Sequence, residues 1–101
     1  MKNRRQIAEE FANKIKSDKI DKIILFGSVA RGDDTSDSDI DILIISDYLD
    51  DIQDKISYES YQFVLYNQVV ISPHIMSNSK IDMINDFTFM RNVRREGIVI
   101  G

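Results

Sequence analysis

Two aspartates one residue apart, Asp39 and Asp41, open an apolar run that continues from Ile40 to Ile45. They are the residues of this chain best placed to do chemistry. In a strand alternate side chains share a face, so both carboxylates would point one way while Ile40, Ile42 and Ile44 point the other. Two carboxylates side by side repel each other, and burying them costs more still. A bound divalent cation removes both costs. Upstream, the apolar run Ile23-Ile24-Leu25-Phe26 stops at Gly27-Ser28, and Val29-Ala30-Arg31-Gly32 follows. Glycine lets a phosphate approach the backbone, serine adds a hydroxyl donor, and one helical turn there presents amide groups to an anion. Arg31 can contact a phosphate or an acceptor, or it can pair with the acidic loop behind it; the residues alone leave both open. Ser38 reads as an orienter of Asp39.

Elements must hold these groups in place. Ile7, Phe11 and Ile15 recur every four residues with Ala8 and Ala12 alongside, which predicts an amphipathic helix over 3–17. The run from Lys22 to Phe26 predicts a buried central strand, and Ser38 to Ser46 a second one. Asp47 is the expected N-cap of a long helix over 48–66, closed by Asn67, with Tyr58, Tyr61 and Tyr66 partly exposed. A third strand is expected over 69–76, with Pro73 placing it at an edge or a bulge. A last helical region over 80–95, broken near Asp86, should end at Gly97 in the C′ position. Ile98-Val99-Ile100 then adds a short strand or runs along the surface. There is no internal repeat and no linker.

Composition narrows the classes. A length of 101 residues suits a single domain over 1–101. With no cysteine, disulfides and thiolate zinc sites are excluded. The basic start, Met1-Lys2-Asn3-Arg4-Arg5, is followed by no apolar stretch of the signal-peptide kind, and no apolar run approaches the ~20 residues of a membrane span. A cytoplasmic location without membrane association is the expectation. A net charge of −4 argues against a broad grip on nucleic acid. Nine aspartates and no Lys or Arg lie between Asp33 and Asp54; apart from Asp39 and Asp41 they read as solvated surface or caps. An EF-hand over Asp33 to Ile44 fails, for want of Gly at its sixth position and Glu at its twelfth. His74, the only histidine, reads as structural.

Gly27-Ser28, Ala30-Arg31-Gly32 and Ser38-Asp39-Ile40-Asp41, complete and in that order, resemble the signature of the DNA polymerase β-like nucleotidyltransferase superfamily. The match is closest to the minimal nucleotidyltransferases that accompany HEPN-domain partners in toxin–antitoxin pairs. The resemblance implies an α/β (α+β) fold of order α-β-β-α-β-α, with a small mixed sheet and helices packed mainly on one face. It implies Asp39 and Asp41 as catalytic and metal-binding residues, and Gly27, Ser28, Arg31 and Ser38 as nucleotide-binding ones. It implies Mg²⁺ as cofactor and a nucleoside triphosphate, ATP above others, as substrate. AMP would pass to a protein side chain of a HEPN partner, which makes this chain the antitoxin. Self-association stays open. The diagnostic motifs cover residues 27–41; the rest matches in element order.

One departure bears on activity. The superfamily supplies a third carboxylate from a later strand, and residues 69–76 contain no Asp or Glu. Two functions follow: an Mg²⁺-dependent transferase, or a weak or inactive nucleotide-binding antitoxin that neutralises its partner by occlusion.

Overall fold

The computed structural model describes residues 2–101. Helix α1 (Arg4–Ile15) starts where its sequence provides a cap. The Asn3 side chain accepts the Gln6 amide at 2.8 Å, and the Gln6 side chain accepts the Asn3 amide at 2.9 Å. This reciprocal pair satisfies two amides that a helix start leaves free. Strand β1 (Lys22–Phe26) leads into the short helix α2 (Gly27–Arg31), and strand β2 (Ile40–Ile45) follows the loop. Helix α3 (Leu49–Asn67) crosses over to strand β3 (Ile71–Met76). Helices α4 (Asn78–Met83) and α5 (Thr88–Glu96) and strand β4 (Ile98–Val99) complete the chain. The expected helical break near Asp86 separates α4 from α5.

The four strands form one mixed sheet in the order β3-β2-β1-β4. β1 pairs antiparallel with both β2 and β4, whereas β2 and β3 are parallel. The parallel pair needs a long crossover, which α3 supplies. β3 is an edge strand, the place where Pro73 is tolerated because its missing N–H faces no neighbour.

Strand alternation divides the core in two. Ile23 and Leu25 of β1 and Ile40, Ile42 and Ile44 of β2 face Ile7, Phe11 and Ile15 of α1 and Ile52 and Ile56 of α3. Phe11 meets Phe63 of α3 edge to face, with ring centroids 5.5 Å apart. Phe26, Leu43 and Ile45 take the other face, against Met90 and Val93 of α5 with Ile81 and Ile84 beside them. Each fully buried aliphatic side chain contributes roughly 1.5–3 kcal/mol of transfer free energy. The two longest helices share one face, and the shorter α4 and α5 cover part of the other.

Several boundaries differ from the sequence reading, for local reasons. Asp47 does not cap α3: its carboxylate accepts the Asn78 backbone amide at 3.0 Å and the Asn78 side-chain amide at 3.2 Å, tying β2 to the start of α4. Tyr48 occupies the cap without a side-chain bond. α3 stops after Asn67 because Gln68 adopts a left-handed backbone with φ 56°. Gly97 follows α5 in an extended conformation rather than a left-handed one. Space is the reason for glycine there: a Cβ would press on the Val93 carbonyl and lie 2.8 Å from Ile24 Cγ2.

Candidate active site

Register brings the two ends of the site together. Phe26, the last residue of β1, pairs with Asp41 of β2, so the turn leaving β1 begins beside that carboxylate. Gly27 has φ 78°, a conformation that glycine adopts without strain. A side chain at Gly27 would also run into the Asp41 carboxylate, whose Cγ would lie 3.2 Å from an added Cβ. Gly32 ends α2 with φ 82° in the left-handed cap position. The helix begins at Gly27 itself, so Gly27 and Ser28 are its first residues rather than a turn preceding it.

Asp39 lies just outside β2, not within it as the sequence reading had it. Its carboxylate accepts a long hydrogen bond, 3.5 Å, from the Ser72 hydroxyl. Ser72 is the β3 residue in register with Asp41. Neighbours in register share a face, so Asp39 and Asp41 lie on the same side of the sheet. The loop before them is held in shape. Arg4 of α1 donates to the carbonyls of Ser36 at 2.8 Å and Ser38 at 3.1 Å, and Ser38 Oγ accepts the Thr35 amide at 2.8 Å. Ser38 thus orders the loop that presents Asp39.

Arg31 is drawn into ion pairs. Its Nε lies 3.2 Å from Asp33 Oδ2 and its Nη1 lies 3.0 Å from Glu96 Oε1. The Asp33 bond first, and the Glu96 bond second, hold the guanidinium proton more firmly than usual. The same Glu96 oxygen accepts the Gly27 amide at 3.3 Å. Glu96 is the last residue of α5, so the C-terminal part of the chain grips both the start and the end of α2. Sequence reasoning missed Glu96, Ser72 and Arg4.

Partial burial pushes the Asp41 carboxyl above its ordinary range; the His74 charge pulls it down, Asp39 adds to the rise, and Arg31 opposes it. A carboxyl raised in this way keeps its proton longer in the folded chain than in the unfolded one. The folded state binds more protons between the two values, and stability falls as pH climbs through that window. The penalty is fully present only above that window.

The donor chemistry fits a divalent cation. Two hard carboxylates on one face, one of them penalised for its charge, suit an ion that takes its remaining ligands from water and phosphate. Among the described residues no group of three or more His, Cys, Asp or Glu side chains could hold a metal by itself. Ser72, not a third carboxylate, stands beside Asp41 on β3.

The sequence matches the family model of the nucleotidyltransferase domain over residues 4–94. It is 42% identical over 105 residues to a protein of Methanocaldococcus jannaschii named "Putative protein adenylyltransferase", covering 97% of this chain and 98% of that one. A second protein of that name from the same organism is 34% identical over 91 residues, covering 81% of this chain and 92% of the other. Among solved structures, a toxin–antitoxin crystallised with AMP-PNP superposes with a TM-score of 0.61 at 14% identity, over 98% of this chain and 73% of that one.

Proposed function

Because the chain belongs to the nucleotidyltransferase domain family, we propose that it transfers AMP from ATP to a side chain of a partner protein, with Mg²⁺ held by Asp39 and Asp41. The single observation that carries this reading is the placement of the Asp41 carboxylate against Gly27, next to Asp39 and on one sheet face. The names of the two relatives support adenylyl transfer to protein. The likeness to a toxin–antitoxin crystallised with AMP-PNP supports a partnered nucleotide enzyme; a HEPN-domain protein as that partner is what the resemblance of the motifs over residues 27–41 implies.

In such a reaction the acceptor oxygen attacks the α-phosphorus and the bond to the β-phosphate oxygen breaks, releasing pyrophosphate. The protein has little covalent work and contributes alignment and charge stabilisation. Gly27 has no side chain to bar a phosphate, which would take the place of the Glu96 carboxylate at the Gly27 amide, and the Ser28 hydroxyl is a donor at the same helix start. Asp39 and Asp41 would hold the cation, because carboxylates offer a phosphate no donor and can draw it in only through a positive ion. Bound Mg²⁺ would neutralise charge developing on the phosphate oxygens. Arg31 can reach a phosphate only by exchanging its bonds to Asp33 and Glu96.

A second reading keeps nucleotide binding but not turnover, with the partner neutralised by occlusion. The lack of a three-carboxylate group among the described residues favours it.

Thermal melting tests cation binding. Asp41→Asn removes a charge that burial penalises, so in metal-free buffer at neutral pH the variant should melt above wild type. The gap should close as pH falls below the ordinary carboxyl range, where both carry a neutral group. Mg²⁺ should raise the wild-type melting temperature and leave the variant unmoved. An equal Mg²⁺ response in both would place the ion elsewhere.

A further inference from the structure

We propose that His74 and Phe89 form a stacking platform for the nucleobase of the bound nucleoside triphosphate. This rests on the nucleotide reading above and deepens it by naming the base subsite. His74 sits opposite Leu43 on the β3 edge strand, two residues beyond Ser72, the register partner of Asp41. Alternation puts Ser72 and His74 on the face that carries Asp41 and Leu43. Phe26, the register partner of Asp41 on β1, shares that face.

Three rings gather there. The His74 and Phe26 centroids are 5.6 Å apart, His74 and Phe89 6.0 Å, and Phe26 and Phe89 5.3 Å. Phe26 is buried and forms the floor, Phe89 is half-buried, and His74 is open to solvent. An exposed imidazole leaning on two phenyl rings presents a rigid aromatic surface beside the carboxylate pair.

The layout matches the parts of a nucleoside triphosphate. The phosphates belong at the Gly27-Ser28 turn and the carboxylates, and the base must extend away from both along the sheet. Residues 33–54 beside the turn are rich in aspartate and offer no aromatic surface until Tyr48, whereas β3 and α5 offer the ring cluster. Every base has a π face, so stacking holds bases of any identity, with larger faces held better. The platform therefore predicts purine over pyrimidine triphosphates, with little discrimination between ATP and GTP.

Calorimetric titration of the full chain with Mg²⁺-ATP and with Mg²⁺-tripolyphosphate tests the platform, because tripolyphosphate has phosphates and no base. His74→Ala should weaken ATP binding by about tenfold and leave tripolyphosphate unchanged. Phe89→Leu, which keeps an apolar side chain over the core, should weaken ATP selectively as well. His74→Trp should tighten ATP, an outcome that damage to the fold cannot mimic. The platform is overturned if the variants lose ATP and tripolyphosphate alike, or if ATP binding is unchanged in both His74→Ala and Phe89→Leu. A wild-type protein that binds neither ligand would overturn the nucleotide reading and the platform with it. Tripolyphosphate binding with no added affinity for ATP would overturn the platform alone.

Discussion

The double substitution Asp39→Asn, Asp41→Asn is expected to leave a folded protein that has lost transfer by a factor on the order of 10³ or more, as several kcal/mol of transition-state stabilisation disappear. The change is nearly isosteric, so the register of β2 with β1 and β3 should survive. The amide introduced at position 41 keeps an oxygen beside Gly27, and the one at position 39 keeps an acceptor for the Ser72 hydroxyl. What is lost is charge, and with it cation affinity. Partner binding should persist because the substituted groups lie on one small part of the surface. A rate measurement on the purified protein, with partner binding followed separately, checks this. If the variant still protects a cell from its partner as well as wild type does, neutralisation is by occlusion. If protection is lost with transfer, modification is the mechanism.

Gly27→Ala is expected to damage stability and transfer together. The backbone there, at φ 78°, costs a residue with a side chain about 1–3 kcal/mol. The added Cβ would also overlap the Asp41 carboxylate, so either the carboxylate or the start of α2 must move. For a chain of this size each kcal/mol lowers the melting temperature by about 4–8 °C. Transfer should fall further than stability predicts, because the displaced group is a proposed metal ligand. A double-mutant cycle with Asp41→Ala separates the two costs. Once the carboxylate is gone, Gly27→Ala should cost only its backbone strain. Strictly additive effects would mean that Gly27 and Asp41 do not share the space described here.

Much of this arrangement was readable in the sequence because it depends on local pattern. The runs at 22–26 and 40–45 announced strands, and their abrupt polar ends announced the site between them. The four-residue recurrence of Ile7, Phe11 and Ile15 announced α1, and Asp39 with Asp41 stood out by alternation alone. The unread parts depend on contacts between distant segments. Glu96 bonds to a glycine amide 69 residues away, and nothing in its own surroundings marks it. Ser72 reaches Asp39 across 33 residues, and only the parallel register of β2 and β3 brings them together. A lone histidine on an apolar strand, such as His74, carries no local signal. Its position on the carboxylate face follows from the strand order. Asp47 illustrates the opposite error: a good capping residue in front of a helix was claimed by Asn78, a tertiary partner invisible in the local sequence.

The most direct test of the central claim is to incubate the protein, Mg²⁺ and a HEPN-domain partner with ATP labelled in parallel at the α- or the γ-phosphate, and to read label on the partner. Nucleotidyl transfer predicts α-label on the partner, no γ-label, release of pyrophosphate, and none of these with the Asp39→Asn, Asp41→Asn variant. Attachment of γ-label, or equal α-labelling by wild type and variant, would contradict the assignment of that chemistry to this site.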